Sequence, residues 1–136
     1  MAIGLARRPD DRLLAMRVLD DSGSLHGVRP PGGGVEFGER TEDALIREFR
    51  EEFGCEIGVE GAPIVFENLF RFHEAIGHEI IFAYPVRLLD QRLYAHDTLT
   101  LTEDNGAVLG VDWVPLADLR SGRIALFPEG LLARLA

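Results

Sequence analysis

Nine carboxylates crowd into residues 36–60: Glu36, Glu39, Glu42, Asp43, Glu48, Glu51, Glu52, Glu56 and Glu60, against three arginines. A solvated helix face is the ordinary home of such a run, so spacing has to decide. At ~100° per residue, with Glu48 as origin, Glu52 falls near 40° and Glu51 near 300°, an arc of roughly 100° for all three. Their repulsion costs roughly 0.2–0.5 kcal/mol per i,i+4 pair even when exposed, and convergence of Glu39 would raise it. A hard divalent cation removes that cost, because Mg²⁺ takes oxygen ligands, commonly one or two carboxylates with waters and substrate phosphates. Just upstream, Pro30-Pro31-Gly32-Gly33-Gly34 is either an ordinary loop or a backbone held close to a ligand or ion. An acidic site repels a polyphosphate unless metal ions bridge the two, so acid plus a phosphate substrate implies obligate metal.

These residues need elements to hold them. Thr41–Phe53 reads as a helix with Thr41 as N-cap, Glu42 and Asp43 at the positive end of its dipole, and Gly54 just past its end. Leu45, Ile46, Phe49 and Phe53 gather on one side, and Arg47 borders the acidic arc, placed to pair with Glu51. Ala2–Arg7 and Arg12–Val18 read as strands around Pro9-Asp10-Asp11, followed by a turn at Asp20–Gly23 and an extended Leu25–Arg29. Ile64–Phe72 and His78–Leu89 read as a long antiparallel pair about Glu74–Gly77, with Ile80, Phe82 and Tyr84 on one face and Glu79, Ile81 and Ala83 on the other. Leu109–Val114 is a strand closed by Pro115; Leu116–Arg120 and Glu129–Leu135 read as short C-terminal helices. Strands around one central helix, with a terminal helix, predict an α+β or α/β/α layered domain.

Composition bounds the function. A chain of 136 residues fits one domain, 1–136, with a core of its own. Fourteen basic against 23 acidic residues leave a net charge of −9, which disfavours a partner that is a nucleic-acid polymer. Every basic residue is arginine, so no lysine can serve in a phosphate loop, as a Schiff base or as a general base. The single Cys55 excludes an internal disulfide and reads as a small core residue. No apolar run reaches the ~18 residues of a membrane span, and the N-terminus is unlike a signal peptide, so a cytoplasmic location without membrane partners is expected. His26, His73, His78 and His96 share no ligand spacing, and Trp113 reads as a core anchor. Phe66, Phe70, Phe72, Phe82 and Tyr84 read as core by alternation, one of them able to stack on a base; Arg29, Arg71 and Arg87 flank the sheet where phosphate could bind.

Gly33, five residues, Glu39, seven residues, then Arg47-Glu48-Phe49-Arg50-Glu51-Glu52-Phe53-Gly54-Cys55 resembles the Nudix box. Pro31-Gly32-Gly33 and Val35-Glu36-Phe37-Gly38-Glu39 look like its usual lead-in, and Asp112-Trp113-Val114-Pro115-Leu116 like a recurrent late feature. Phe49 and Cys55 stand where the family has bulky aliphatic residues. The resemblance implies a Nudix-like α/β/α sandwich with a mixed sheet and a central catalytic helix. It implies Mg²⁺- or Mn²⁺-dependent hydrolysis of a pyrophosphate bond, by water attack on phosphorus, in a nucleoside diphosphate linked to another moiety. Nucleotide sugars, ADP-ribose, dinucleoside polyphosphates and nucleoside triphosphates all stay open as small-molecule substrates. By the same resemblance Glu48, Glu51 and Glu52 would be metal ligands, with a backbone carbonyl of Gly32 or Gly33. Glu39 would hold the loop against the helix or reach the metal through water, and Arg47 would orient a glutamate. The base that takes the water's proton would be Glu48, Glu103 or Glu79. The family also commonly forms homodimers. The alternative is a non-catalytic, nucleotide-sensing domain of the same fold; such domains usually degrade the glutamates, which are complete here. An isomerase on this scaffold would need further cysteine chemistry.

Overall fold

Ala2, Gly4 and Ala6 alternate with Ile3 and Leu5, so the first strand is apolar on both faces, as a strand covered on both sides requires. In the computed structural model, which describes residues 1–102, 105–106 and 108–135, that strand is β1 (Ala2–Arg8). It runs parallel to β7 (Ala75–Leu88), Ala2 opposite Phe82 and Ala6 opposite Val86. Its other edge meets the two-residue β4 (Gly32–Gly33) first and then β2 (Arg12–Leu19), both antiparallel. From β2 the sheet continues to β3 (Leu25–Arg29) and to β9 (Val108–Pro115), which carries β8 (Thr98–Thr102). Beyond β7 lie β6 (Ile64–Phe72) and β5 (Ile57–Val59). Among the described residues the result is one curled, mixed, nine-stranded sheet.

Alternation divides the core in two. Ala2, Ala6, Leu14, Tyr84, Val86, Val111 and Trp113 face helix α1 (Thr41–Phe53), which buries Leu45, Phe49 and Phe53 against them. Ile3, Leu5, Leu13, Ala15, Ile81, Ala83 and Val114 face the other way, onto Leu116 and Leu119 of α2 (Leu116–Arg120) and onto Leu126 and Leu131. This is the layered α+β arrangement the sequence predicts, with α1 over the middle of the sheet. Trp113 is buried as expected, its indole N–H donating to the Leu93 carbonyl at 2.9 Å and its ring stacked on Tyr94. None of the described helices is long and apolar enough to cross a membrane.

Local chemistry shifts several predicted details. The N-cap of α1 is Arg40, not Thr41, and it makes no side-chain cap; the Thr41 hydroxyl is instead shared with the Tyr84 hydroxyl at 2.6 Å. The hairpin turns at His73-Glu74 and not over Glu74–Gly77, with Phe72 paired directly to Ala75 and His73 at φ 55°. Glu129–Leu135 is no helix: Gly130 sits at φ 86°, and only a 3₁₀ turn at Leu132–Arg134 remains. Phe66 is core, but Phe70 and Phe72 are 41% and 67% exposed, because their face opens into a cleft where core was expected. The strands β4 and β8 were not foreseen.

Candidate active site

Helix α1 ends where its glycine stands. Gly54 takes φ 61°, and the amides of Gly54 and Cys55 close on the carbonyls of Arg50 and Phe49 at 3.2 and 3.0 Å. Upstream of that end, Arg47 ties loop to helix. Its Nε and Nη2 donate to Glu39 Oε2 and Oε1 at 2.8 and 2.9 Å, Nη2 also donates to the Gly34 carbonyl at 3.0 Å, and Nη1 reaches Glu48 Oε1 and Glu51 Oε2, both at 3.1 Å. The Glu36 amide adds a third hydrogen bond to Glu39 at 3.1 Å. The Arg47 guanidinium, foremost, and that amide pull the Glu39 carboxyl down to about 2. The same carboxylates hold Arg47 above its ordinary value. Arg47 thus touches the loop and three glutamates at once.

The glycine run sits under these carboxylates. Gly32 and Gly33 pair with Ile3 and Ala2, and the Gly4 amide donates to the Pro31 carbonyl at 2.8 Å. A Cβ on Gly32 would strike the backbone of Ala2 and Ile3; one on Gly33 would strike the Glu48 carboxylate. Gly32, Gly33, Gly34, Glu48, Glu52, Arg29, Met16 and Phe53 line one cavity of about 410 Å³. Glu51 does not line it; its side chain is 45% exposed and leans on Arg47. Among the described residues no three acidic, histidine or cysteine side chains close on a single point, since Arg47 draws Glu48 and Glu51 towards itself. The donors that do share the cavity are carboxylate and carbonyl oxygens, a set that fits a hard divalent cation.

A second, larger cleft of about 690 Å³ adjoins the first through Arg29 and Gly32. Arg71 and Glu79 line this cleft and not the smaller cavity, and Arg87 lines neither. Glu103 lies outside the described residues. Sequence reasoning passed over Met16, Asn68 and Phe127, and considered His26 only as a metal ligand, for which it lacks the spacing. Asn68 carried a signal, a polar residue inside the inward alternation Phe66-x-Asn68-x-Phe70. Phe127 arrives because the Val28 amide and carbonyl bond Ala125 and Phe127 across the sheet, at 2.9 and 2.8 Å, and it stacks on His26. His78 pairs with Glu67 at 2.7 Å, away from both cavities.

Comparisons with known proteins place the chain by sequence and by fold. The family model described as NUDIX domain matches residues 2–135. The nucleoside triphosphatase NudI of Escherichia fergusonii is 34% identical over 100 residues, covering 70% of this chain and 69% of that protein. The 8-oxo-dGTP diphosphatase of Escherichia coli K12 is 33% identical over 54 residues, covering 40% of this chain and 42% of that protein. The solution structure of the E. coli ORF135 protein superposes with a TM-score of 0.60 at 25% identity, covering 93% of this chain and 79% of that one. A hydrolase structure from Nitrosomonas europaea superposes with a TM-score of 0.63 at 18% identity, over 98% and 82%, a likeness of fold.

Proposed function

This chain belongs to the Nudix family, hydrolases acting on phosphoric anhydrides, and from that premise we propose that it cleaves a pyrophosphate bond of a nucleoside triphosphate with Mg²⁺ or Mn²⁺. The observation that carries the reading is the meeting of the two cavities at Arg29. A polyphosphate lying across that junction has oxygen donors at one end and a cleft wide enough for a nucleoside at the other. The names of the two curated relatives favour a triphosphate over a nucleotide sugar, ADP-ribose or a dinucleoside polyphosphate.

Glu48, Glu52 and a carbonyl of Gly32 or Gly33 would hold the cation, with Glu51 at the rim. When bound, the cation neutralises phosphate charge and lowers the pKa of water at the site. Arg29 donates hydrogen bonds to the phosphate oxygens, charge-assisted and in a fork that a lysine could not present; Arg71 stands further along the cleft. Glu48, against the glycine backbone, takes the proton of the attacking water as the water's oxygen bonds phosphorus and the anhydride oxygen departs. Glu103 is the second candidate for that role. Arg47 keeps Glu48 in place from the side. Glu39 keeps Arg47 in place in turn.

The test is incubation with Mg²⁺ or Mn²⁺ and a panel of nucleoside triphosphates, nucleotide sugars and dinucleoside polyphosphates, with products separated by chromatography. Cleavage at a pyrophosphate bond is expected, abolished by chelator and reduced at least about a hundredfold in Glu52→Gln, whose melting point stays near that of the parent. A folded protein that turns over nothing in the panel, or a Glu52→Gln variant with undiminished turnover, overturns the assignment.

A further inference from the structure

The larger cleft carries one polar pair set into an apolar wall. Asn68 and Glu79 are direct cross-strand partners of β6 and β7, and Asn68 Nδ2 donates to Glu79 Oε1 at 3.1 Å. On the same face Phe66 lies opposite Ile81 on one side of the pair, and Phe70 opposite Gly77 on the other. The Phe70 ring covers Gly77 so closely that a Cβ there would collide with it. Asn68 is 8% exposed, the one buried polar side chain among the described residues. No arginine or histidine forms an ion pair with Glu79 among them. The pair thus presents a carboxylate and a buried amide side by side on the wall of the cleft, next to an aromatic ring, a fixed set of hydrogen-bonding groups for a ligand there.

We propose that Asn68 and Glu79 read the nucleotide's base and select guanine. The inference rests on the cleft being the nucleoside end of the site described above. The hydrogen-bond inventory of the pair decides between bases. One Asn68 N–H is already spent on Glu79, which leaves one amide N–H, the amide oxygen and the outer lone pairs of a carboxylate: one donor and a surplus of acceptors. The Watson–Crick edge of guanine presents two neighbouring donors, N1–H and the 2-amino group, beside the O6 acceptor. A carboxylate takes the two donors together, and the amide N–H answers O6. Adenine and cytosine set a ring-nitrogen lone pair next to their amino group, which would face the carboxylate's charge. Uracil flanks its single N–H with two carbonyls. His26 and Phe127, stacked at 5.0 Å on the cleft wall, offer a flat apolar surface to the base.

Calorimetric titration of the full chain in EDTA with GMP, IMP, AMP and CMP measures base selection without turnover. GMP is expected to bind at least about tenfold more tightly than AMP or CMP, the range of one charge-assisted hydrogen bond. IMP, lacking the 2-amino group, falls between. Glu79→Gln keeps an oxygen for Asn68 but turns one acceptor into a donor, and is expected to erase the preference while melting like the parent. Equal binding of the four nucleotides, or a GMP preference that survives in Glu79→Gln, overturns the assignment. GMP selectivity in a protein that hydrolyses nothing upholds the base assignment and overturns the hydrolase reading alone.

Discussion

The ring of Phe49 occupies the space a side chain would need at Gly4: a Cβ there would come within 2.8 Å of Phe49 Cε2 and 2.9 Å of Cζ. The bulky aromatic residue in the helix and the bare strand position are one fitted pair. That fit explains how this chain carries phenylalanine where the family has an aliphatic residue.

Gly4→Ala is therefore expected to push α1 away from the sheet and to cost about 1–3 kcal/mol by overpacking. Phe49→Ala leaves a cavity beneath the helix and costs about 3–5 kcal/mol. Denaturant melts of the two single variants and of the double Gly4→Ala/Phe49→Leu check the pairing. If the residues are coupled, the double variant loses less than the sum of Gly4→Ala and Phe49→Leu alone.

Gly32 and Gly33 separate fold from chemistry. Alanine at Gly32 meets the fixed backbone of Ala2 and Ile3 and is expected to destabilise the protein by about 1–3 kcal/mol. Alanine at Gly33 meets the Glu48 carboxylate first, the far end of a side chain and not backbone. Its melting point should fall less, and its turnover more, than those of Gly32→Ala. Melting curves beside initial rates decide this.

The Glu39–Arg47 fork predicts a pH dependence of stability. Glu39 has its carboxyl held at about 2 in the folded protein, against an ordinary value of 4.5. The unfolded chain takes up that proton first as pH falls. The contribution is therefore complete above pH 4.5 and is lost as pH falls from there through about 2. In EDTA, the melting point of Glu39→Gln should vary less over that interval than that of the parent, and the two slopes should agree above it.

Burial pushes the Cys55 thiol up to about 11. Iodoacetamide at pH 8 should alkylate it slowly in the native protein and rapidly in guanidinium. A native rate equal to the denatured one would show that the turn after α1 opens freely.

How far the sequence could be read depends on how local the information was. The helix Thr41–Phe53 matches its predicted span because its apolar stripe and Gly54 are consecutive signals within one segment. The hairpin partners were legible from alternation, but the turn was not: His73 adopts a left-handed conformation that its residue type does not announce. β8 alternates threonine with leucine, a pattern that is weak when the search follows apolar residues. The small cavity was legible in large part, since Glu48, Glu52 and the glycines belong to one motif and Arg29 flanks the predicted sheet, whereas Met16 enters from another strand without a signal of its own. The larger cleft was not, because His26, Asn68 and Phe127 meet only through the curl of the sheet. Glu51 shows the limit of angular reasoning. Its place on the helix is as expected, and Arg47 decides where its carboxylate goes.

The parallel pairing of β1 with β7 sets an order of assembly. Ala2 finds Phe82 and Ala6 finds Val86 only after helix, loop and hairpin have been synthesised, so the platform beneath α1 closes through one long loop. Such non-local closure slows folding relative to chains held by near neighbours. The acidic helix therefore exists as a segment before the strand pair that gives its carboxylates a fixed address. Chemistry is acquired last, when residues 2–6 and residues 82–86 come to lie side by side.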